Sequence, residues 1–141
     1  MENVENKVII ITGATSGIGK ATARVLAKHG AKVVLSGRRE ERLEKLANEL
    51  GDSAIYLKSD VTNVEDMKAI VKLTKEKFGK VDVLFANAGI MPAGNMSELD
   101  LKGWMGMVDI NIKGVLNSMY AIMPEFYQQN SGHIIITSSR P

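Results

Sequence analysis

A glycine-rich segment near the start of the chain has the composition and spacing of a phosphate-binding turn. Residues 12–19 read Thr-Gly-x-x-x-Gly-x-Gly and follow directly after the apolar run 8–11. Glycine allows a sharp turn at the end of a strand and lets the backbone approach both a phosphate and the sheet. A helix that begins near Ser16 directs free N–H groups and the positive end of its dipole at the anion. The residues predicted to contact nucleotide phosphates are Gly13, Thr15, Ser16, Gly17, Ile18 and Gly19.

The alternative interpretation of this segment is a glycine-rich turn that binds nothing. Three glycines within seven residues at the start of a helix lower its stability, and a simple turn does not require them. The position between an apolar strand and an amphipathic helix also favours a nucleotide site over an incidental pattern.

Two arginines follow the second predicted strand, about twenty residues after the glycine turn. An acidic residue at this place would accept a hydrogen bond from a ribose 2′-hydroxyl and repel a 2′-phosphate, whereas arginine attracts the phosphate. Here Gly37 takes the place of the acid, and Arg38 and Arg39 come next. An exposed helix start is the alternative, although arginines there oppose the helix dipole. The sequence therefore favours NADP(H) over NAD(H).

Further polar and small residues follow the third and fourth predicted strands, at the edge where open α/β sheets bind ligands. Asp60, with Val61 beside it, could accept a hydrogen bond from the exocyclic amine of an adenine, or could cap a turn ahead of Asn63. The segment Asn87-Ala88-Gly89 allows close passage of the chain past a ligand. The Asn87 amide could brace neighbouring strands or bind a ribose.

Apolar strands alternate with amphipathic helices along the whole chain, which predicts βαβ units in a parallel sheet. A region of helix with glycines and Pro124 is expected to be broken or kinked. Right-handed crossovers predict a Rossmann-type doubly wound α/β fold with strand order 3-2-1-4-5. The predicted strands are 7–12, 31–36, 54–58, 81–86 and 133–138, and the predicted helices are 16–29, 40–50, 63–78 and 97–129.

Composition indicates one globular domain over residues 1–141. Hydrophobic residues make up 45% and charged residues 24% of the chain, and the net charge is only +2. Without a basic stripe, nucleic acid is not favoured as a partner. The chain has no cysteine and only two histidines, which argues against disulfides and a structural zinc site. No signal peptide or membrane-spanning run is recognisable, so a cytoplasmic location is expected.

Taken together, these motifs resemble those of the short-chain dehydrogenase/reductase family over essentially the whole chain. The departure is Ala86, which stands where the family's Asn-Asn-Ala-Gly motif has its first asparagine. The matching positions are the glycine turn 12–19, Asp60, the segment 87–89, Asn111 and Ser139.

The resemblance implies hydride exchange between a nicotinamide and a small carbonyl or alcohol substrate. It implies that Ser139 hydrogen-bonds the substrate oxygen and that Asn111 holds a water of a proton relay. Ser138 is the competing serine, because a shift of one residue in a strand reverses the face that a side chain presents.

The family's acid/base pair, a tyrosine with a lysine four residues later, is missing from these residues. Tyr56 is followed four positions on by Asp60, and the two other tyrosines by Pro124 and Ser131. The resemblance implies that the domain is truncated relative to the complete family fold, with little or no activity. The alternative is a catalytically inactive dinucleotide-binding or interaction module. An open fifth strand predicts a homo-oligomer.

Overall fold

Five parallel strands form one sheet in the order β3-β2-β1-β4-β5. The computed structural model describes residues 3–15, 17–90 and 96–137. Both the parallel sheet and its strand order confirm the fold predicted from the sequence. The strands are β1 (Val8–Ile11), β2 (Lys32–Gly37), β3 (Ala54–Lys58), β4 (Val83–Ala86) and β5 (His133–Ile136).

Within these described residues, five α-helices connect the strands. The observed bounds of α2 and β3 equal the predicted ones, and the remaining ends differ by a few residues. No helix of the described residues has an apolar stretch long enough to cross a bilayer. The helices are α1 (Gly17–Lys28), α2 (Glu40–Leu50), α3 (Val64–Phe78), α4 (Leu101–Val108) and α5 (Gly114–Gln129).

The two faces of the sheet carry separate hydrophobic layers because successive side chains of a strand point in opposite directions. Ile9 and Ile11 of β1 pack in the layer that α1 and α2 cover, with Leu43 of α2 fully buried. Ile10 packs in the opposite layer with Met67 of α3, and α5 also contributes to this layer. The sheet is thus buried on both faces along β1, as a doubly wound fold requires.

The helix predicted over 97–129 begins later than expected, but the predicted interruption of this helix is confirmed. A 3-10 turn occupies Met96–Glu98, and Leu99 has a left-handed φ of 50°. Helix α4 begins only after Asp100, whose carboxylate accepts a hydrogen bond of 2.9 Å from the Gly103 N–H. A π-helical turn over Asp109–Lys113 then separates α4 from α5. The interruption therefore falls at this turn, whereas Pro124 lies within α5.

Helix α3 is capped at both ends by the residues that the sequence predicts. The Asn63 side chain accepts hydrogen bonds from the N–H groups of Glu65 and Asp66, at 2.9 and 3.3 Å. Gly79 ends the helix in the left-handed conformation, with φ 79°, and its N–H donates to the Lys75 carbonyl at 2.8 Å. The Asn63 cap fixes the end of the connection that carries Asp60, and Gly79 fixes the start of the connection to β4.

Candidate active site

The glycine turn between β1 and α1 is built so closely that side chains are excluded at two positions. Gly13 has a φ of 63°, and a Cβ there would lie 2.8 Å from the Cα of Ala88. A Cβ at Gly19 would overlap the carbonyl oxygen of Gly13. The turn therefore requires glycine both for backbone conformation and for the close approach of the segment after β4.

A buried threonine joins this turn to the end of β4. The Thr12 hydroxyl oxygen accepts hydrogen bonds from the N–H groups of Asn87 and Ala88, at 2.9 and 3.0 Å. The Asn87 side-chain amide donates to the Gly13 carbonyl at 3.2 Å and accepts from the Thr137 hydroxyl at 2.9 Å. Asn87 thus braces strands β1, β4 and β5, which is one of the two roles considered from the sequence.

A cleft of about 140 Å³ opens at the carboxyl ends of the strands. Eight of the predicted cofactor-binding residues line it, which brings together segments up to 76 positions apart. These are Gly13, Thr15, Arg38, Arg39, Asp60, Val61, Ala88 and Gly89. Five other described residues also line the cleft: Ser36, Gly37, Ser59, Ile90 and Ile110.

The remaining predicted site residues lie beside the cleft or outside the described residues. Gly17, Ile18 and Gly19 form the first turn of α1, where the free N–H groups of a helix are found. Ile18 is 60% exposed. Ser16 and Ser139 lie outside the described residues, as does the competing Ser138.

The two arginines after β2 reach the cleft from its outer rim. Arg38 and Arg39 are both exposed, and Arg39 directly precedes α2 without making a side-chain capping hydrogen bond. Gly37 lies against Thr15, since a Cβ at Gly37 would be 3.1 Å from the Thr15 methyl group. The positive charges therefore stand beside the glycine turn, with no acidic side chain in the position of Gly37.

Asp60 has fixed hydrogen-bond partners and a stabilised negative charge. One carboxylate oxygen accepts from the Thr62 N–H at 2.9 Å and from the Thr62 hydroxyl at 2.8 Å. Burial opposes ionisation, but these two hydrogen bonds and the charge of Arg38 together hold the pKa of Asp60 below its ordinary value. Asp60 therefore forms the local turn considered from the sequence, and it also lines the cleft.

Two buried serines on the floor of the cleft were not singled out from the sequence. The hydroxyls of Ser36 and Ser59 share a hydrogen bond of 2.6 Å. Because the Ser59 hydroxyl donates to the Leu57 carbonyl at 3.0 Å, Ser36 supplies the proton between them. Small polar residues at the ends of two adjacent strands were the signal that could have indicated this pair.

Asn111 lies in the π-helical turn between α4 and α5, with its side chain directed at the loop after β4. Its amide oxygen accepts from the Ile90 N–H at 2.8 Å, and its amide nitrogen donates to the Ile90 carbonyl at 2.7 Å. The Asn111 side chain also contacts Gly89, where a Cβ would be 3.1 Å from the amide oxygen. The side chain thus positions the segment that lines one side of the cleft.

Helix α5 holds Val61 at the opposite side of the cleft. A Cβ at Gly114 would lie 2.6 Å from a Val61 methyl group, so glycine allows the close packing. The Asn117 amide donates to the Val61 carbonyl at 2.9 Å. The start of α5 therefore positions Val61 through both packing and a hydrogen bond.

None of the three tyrosines lines this cleft. Tyr56 lies on edge strand β3, where burial, and to a lesser extent Glu44 and Glu40, raises its pKa. Tyr120 and Tyr127 project from α5 and are 64% and 77% exposed. A raised pKa away from the cleft is the reverse of what a phenolic acid/base at the site would need.

Comparisons with known proteins identify relatives that resemble this sequence and share this fold. An uncharacterised oxidoreductase of Listeria monocytogenes is 56% identical over 139 residues, which cover 96% of this chain and 56% of that protein. A short-chain dehydrogenase/reductase from Burkholderia phymatum, solved in complex with NAD, superposes with a TM-score of 0.91 at 34% identity. That match covers 99% of this chain and 51% of the other.

A second solved structure carries the other class of cofactor. The alcohol dehydrogenase from Thermococcus sibiricus, complexed with 5-hydroxy-NADP, has a TM-score of 0.86 at 36% identity. The match covers 96% of this chain and 59% of that one. The chain thus spans a little over half the length of the relatives it matches. Because the short chain dehydrogenase model matches residues 7–140, the chain belongs to the short-chain dehydrogenase/reductase family.

Proposed function

We propose that this protein is an NADP(H)-dependent oxidoreductase acting on a small carbonyl or alcohol substrate. The observation that carries the proposal is the single cleft in which the glycine turn, Arg38, Arg39 and Asp60 meet. A dinucleotide fits this donor set: close-packed glycines leave room for a pyrophosphate, and cations and a carboxylate flank them. When bound, the nicotinamide supplies or accepts the hydride.

The chain's own residues have separate roles in this proposal. Gly13 and the first turn of α1 bind the pyrophosphate, with Gly17, Ile18 and Gly19 presenting backbone N–H groups. Asp60 accepts a hydrogen bond from the adenine amine, and the adjacent Val61 packs against the base. Ala88 and Gly89 let the cofactor lie close to the end of β4. Thr15 and Ser16 contribute hydroxyl groups beside the phosphates.

The preference for NADP(H) rests on charge at the end of β2. Arginine forms paired hydrogen bonds with a phosphate, and no carboxylate stands at Gly37 to repel it. The relatives' cofactors include both NAD and an NADP derivative, so this preference depends on Arg38 and Arg39.

Titration of NADPH and NADH, followed by cofactor fluorescence, tests this assignment. We expect NADPH to bind more tightly, and we expect replacement of both arginines by alanine to weaken NADPH by about tenfold or more. NADH should be affected much less. The double variant Lys68→Ala, Lys72→Ala on α3 also removes two positive charges, away from the cleft, and is the matched control. Equal losses for both cofactors in the double variant would contradict the proposal.

Substrate handling is assigned to Ser139 and Asn111. Ser139 donates a hydrogen bond to the substrate oxygen as negative charge develops on it. Ile90 uses one N–H and one lone pair of the Asn111 amide, so a relay water at residue 111 would bind the remaining N–H or lone pair, or the backbone carbonyl.

A binding module without turnover is the second candidate function. It applies to residues 1–141 taken alone, in which no tyrosine has a lysine four residues later or a place in the cleft. A missing positioned acid typically lowers the rate by roughly 10²–10⁴-fold. We therefore expect the 141-residue protein to bind NADPH with little or no carbonyl reduction, assayed by loss of NADPH absorbance. Turnover at the rate of full-length relatives would contradict this expectation.

We further propose that the protein is cytoplasmic and self-associates. Within the described residues β5 pairs only with β4, and its Ile135 and Ile136 are 46% and 50% exposed. For residues 1–141 taken alone, an unpaired strand edge with apolar side chains favours pairing with another chain. Light scattering should give at least twice the monomer mass, and a monomer at all concentrations would contradict the proposal.

A further inference from the structure

A second groove, of about 330 Å³, runs between the outer faces of α1 and α2. Its polar lining comes from Thr15 at one end and from charged side chains of the two helices. Four of these are cationic and one is acidic, which leaves an excess of three positive charges. The charged residues are Lys20, Arg24, Arg42, Lys45 and Glu49.

The one acidic side chain of the groove, Glu49, is paired with Arg24. Glu49 forms two hydrogen bonds with the Arg24 guanidinium, at 2.7 and 2.9 Å. These hydrogen bonds lower the pKa of Glu49, although burial raises it. The charges of Arg24, Lys20 and Lys45 lower the pKa further. Lys20 of α1 and Lys45 of α2 line the same groove as this carboxylate.

Within the described residues, Glu49 is the one acidic side chain of the groove lining, because Glu40, Glu41 and Glu44 of α2 lie outside it. Helix α1 contains no aspartate or glutamate, and its cations recur every fourth residue at 20, 24 and 28. Lys20, Arg42 and Lys45 form no ion pair within the part of the chain that the structure describes. Like charges that share a groove repel one another, and a bound anion removes that repulsion.

The groove meets the cofactor cleft at one residue, because Thr15 lines both. We propose that the groove is a second anion site, which binds a ligand with two or more phosphate groups beside the cofactor cleft. Several cations arranged along a channel match a linear polyphosphate better than a single small anion, since each phosphate meets a separate charge.

The position next to Thr15 predicts coupling between the two sites. A phosphate at the Thr15 end of the groove would lie close to a 2′-phosphate held by Arg38 and Arg39, and the two would repel each other. Each ligand then weakens the binding of the other by the same factor. NADH lacks the 2′-phosphate and should be weakened less. This coupling, unlike the anion site itself, rests on the proposed function.

Calorimetric titration with inorganic tripolyphosphate at low ionic strength tests the site directly. We expect saturable binding that Lys20→Gln and Lys45→Gln each weaken about threefold or more. Lys72 is exposed on α3, on the opposite face of the sheet from the groove. Lys72→Gln makes the same charge change there and should leave tripolyphosphate binding unchanged. No binding to the unaltered protein, or equal binding by all three variants, would overturn the inference.

Competition experiments separate this inference from the proposed function. Saturating tripolyphosphate should raise the dissociation constant of NADPH severalfold, with a smaller effect for NADH, and Lys45→Gln should reduce that antagonism. Antagonism of the same size in Lys45→Gln would place tripolyphosphate in the cofactor cleft and overturn the second site. If NADPH binds and tripolyphosphate does not, only the second site fails. Failure of NADPH to bind would instead contradict the proposed function.

Discussion

Asn111 and Ile90 are joined by two hydrogen bonds that run in opposite directions. The Ile90 N–H donates to the Asn111 amide oxygen at 2.8 Å, and the Asn111 amide nitrogen donates to the Ile90 carbonyl at 2.7 Å. Only a primary amide side chain offers a donor and an acceptor in this arrangement. The π-helical turn of Asn111 is therefore fastened to the loop that borders the cleft.

We expect Asn111→Ala to lower the free energy of unfolding by about 1–3 kcal/mol, because both Ile90 backbone groups lose their partner. Hydrogen exchange at the Ile90 N–H should become faster. The control is Asn117→Ala, which removes one hydrogen bond to Val61 from the same helical region and should not change exchange at Ile90. Unchanged exchange in Asn111→Ala would show that the loop is held by other contacts.

The Thr12 hydroxyl joins the glycine turn to the segment after β4, and this role can be tested with two variants. We expect Thr12→Val to cost about 1–3 kcal/mol of stability and to weaken NADPH binding, because two backbone N–H groups lose their acceptor. Thr12→Ser keeps the hydroxyl and should stay close to the unaltered protein in both respects. Chemical unfolding and cofactor titration measure the two effects. Serine and valine variants of equal stability would contradict the role of the hydroxyl.

Two glycines with similar left-handed backbones should differ in their tolerance of alanine. Gly13 (φ 63°) faces the backbone of Ala88, whereas Gly79 (φ 79°) has open space where a Cβ would stand. We expect Gly79→Ala to cost about 1–2 kcal/mol from backbone conformation alone. Gly13→Ala should cost about 1–3 kcal/mol more, since it adds the overlap with Ala88. Thermal unfolding of both variants measures the difference, and equal losses would contradict the close packing.

The stabilised charge of Asp60 predicts a dependence of stability on pH. The folded-state pKa lies below the ordinary value of 3.8, despite burial, because of Thr62 and Arg38. The ionised carboxylate therefore adds stability above the ordinary pKa, and this contribution is lost as the pH falls through the folded pKa. The stability difference between the unaltered protein and Asp60→Asn should narrow from pH 6 to below about 3. Urea unfolding at several pH values measures it, and a constant difference would refute the prediction.

Sequence patterns alone were sufficient for the sheet and for most of the cleft. Apolar runs, glycine stops and the Asn63 cap define local structure through interactions between near neighbours. Right-handed crossovers then place the ends of β1, β2, β3 and β4 at one edge. For this reason the sequence alone places Gly13, Arg38, Asp60 and Ala88 at one edge of the sheet.

Long-range contacts decided what the sequence left open. The hydroxyl of Thr12 contacts residues 75 and 76 positions later, and the Ser36–Ser59 pair lies on adjacent strands. Near-neighbour patterns hold no information about such pairings, because they form only when distant segments pack together. The sequence thus determined the fold and which strand ends border the cleft, while tertiary packing determined which side chains hold the cleft in shape.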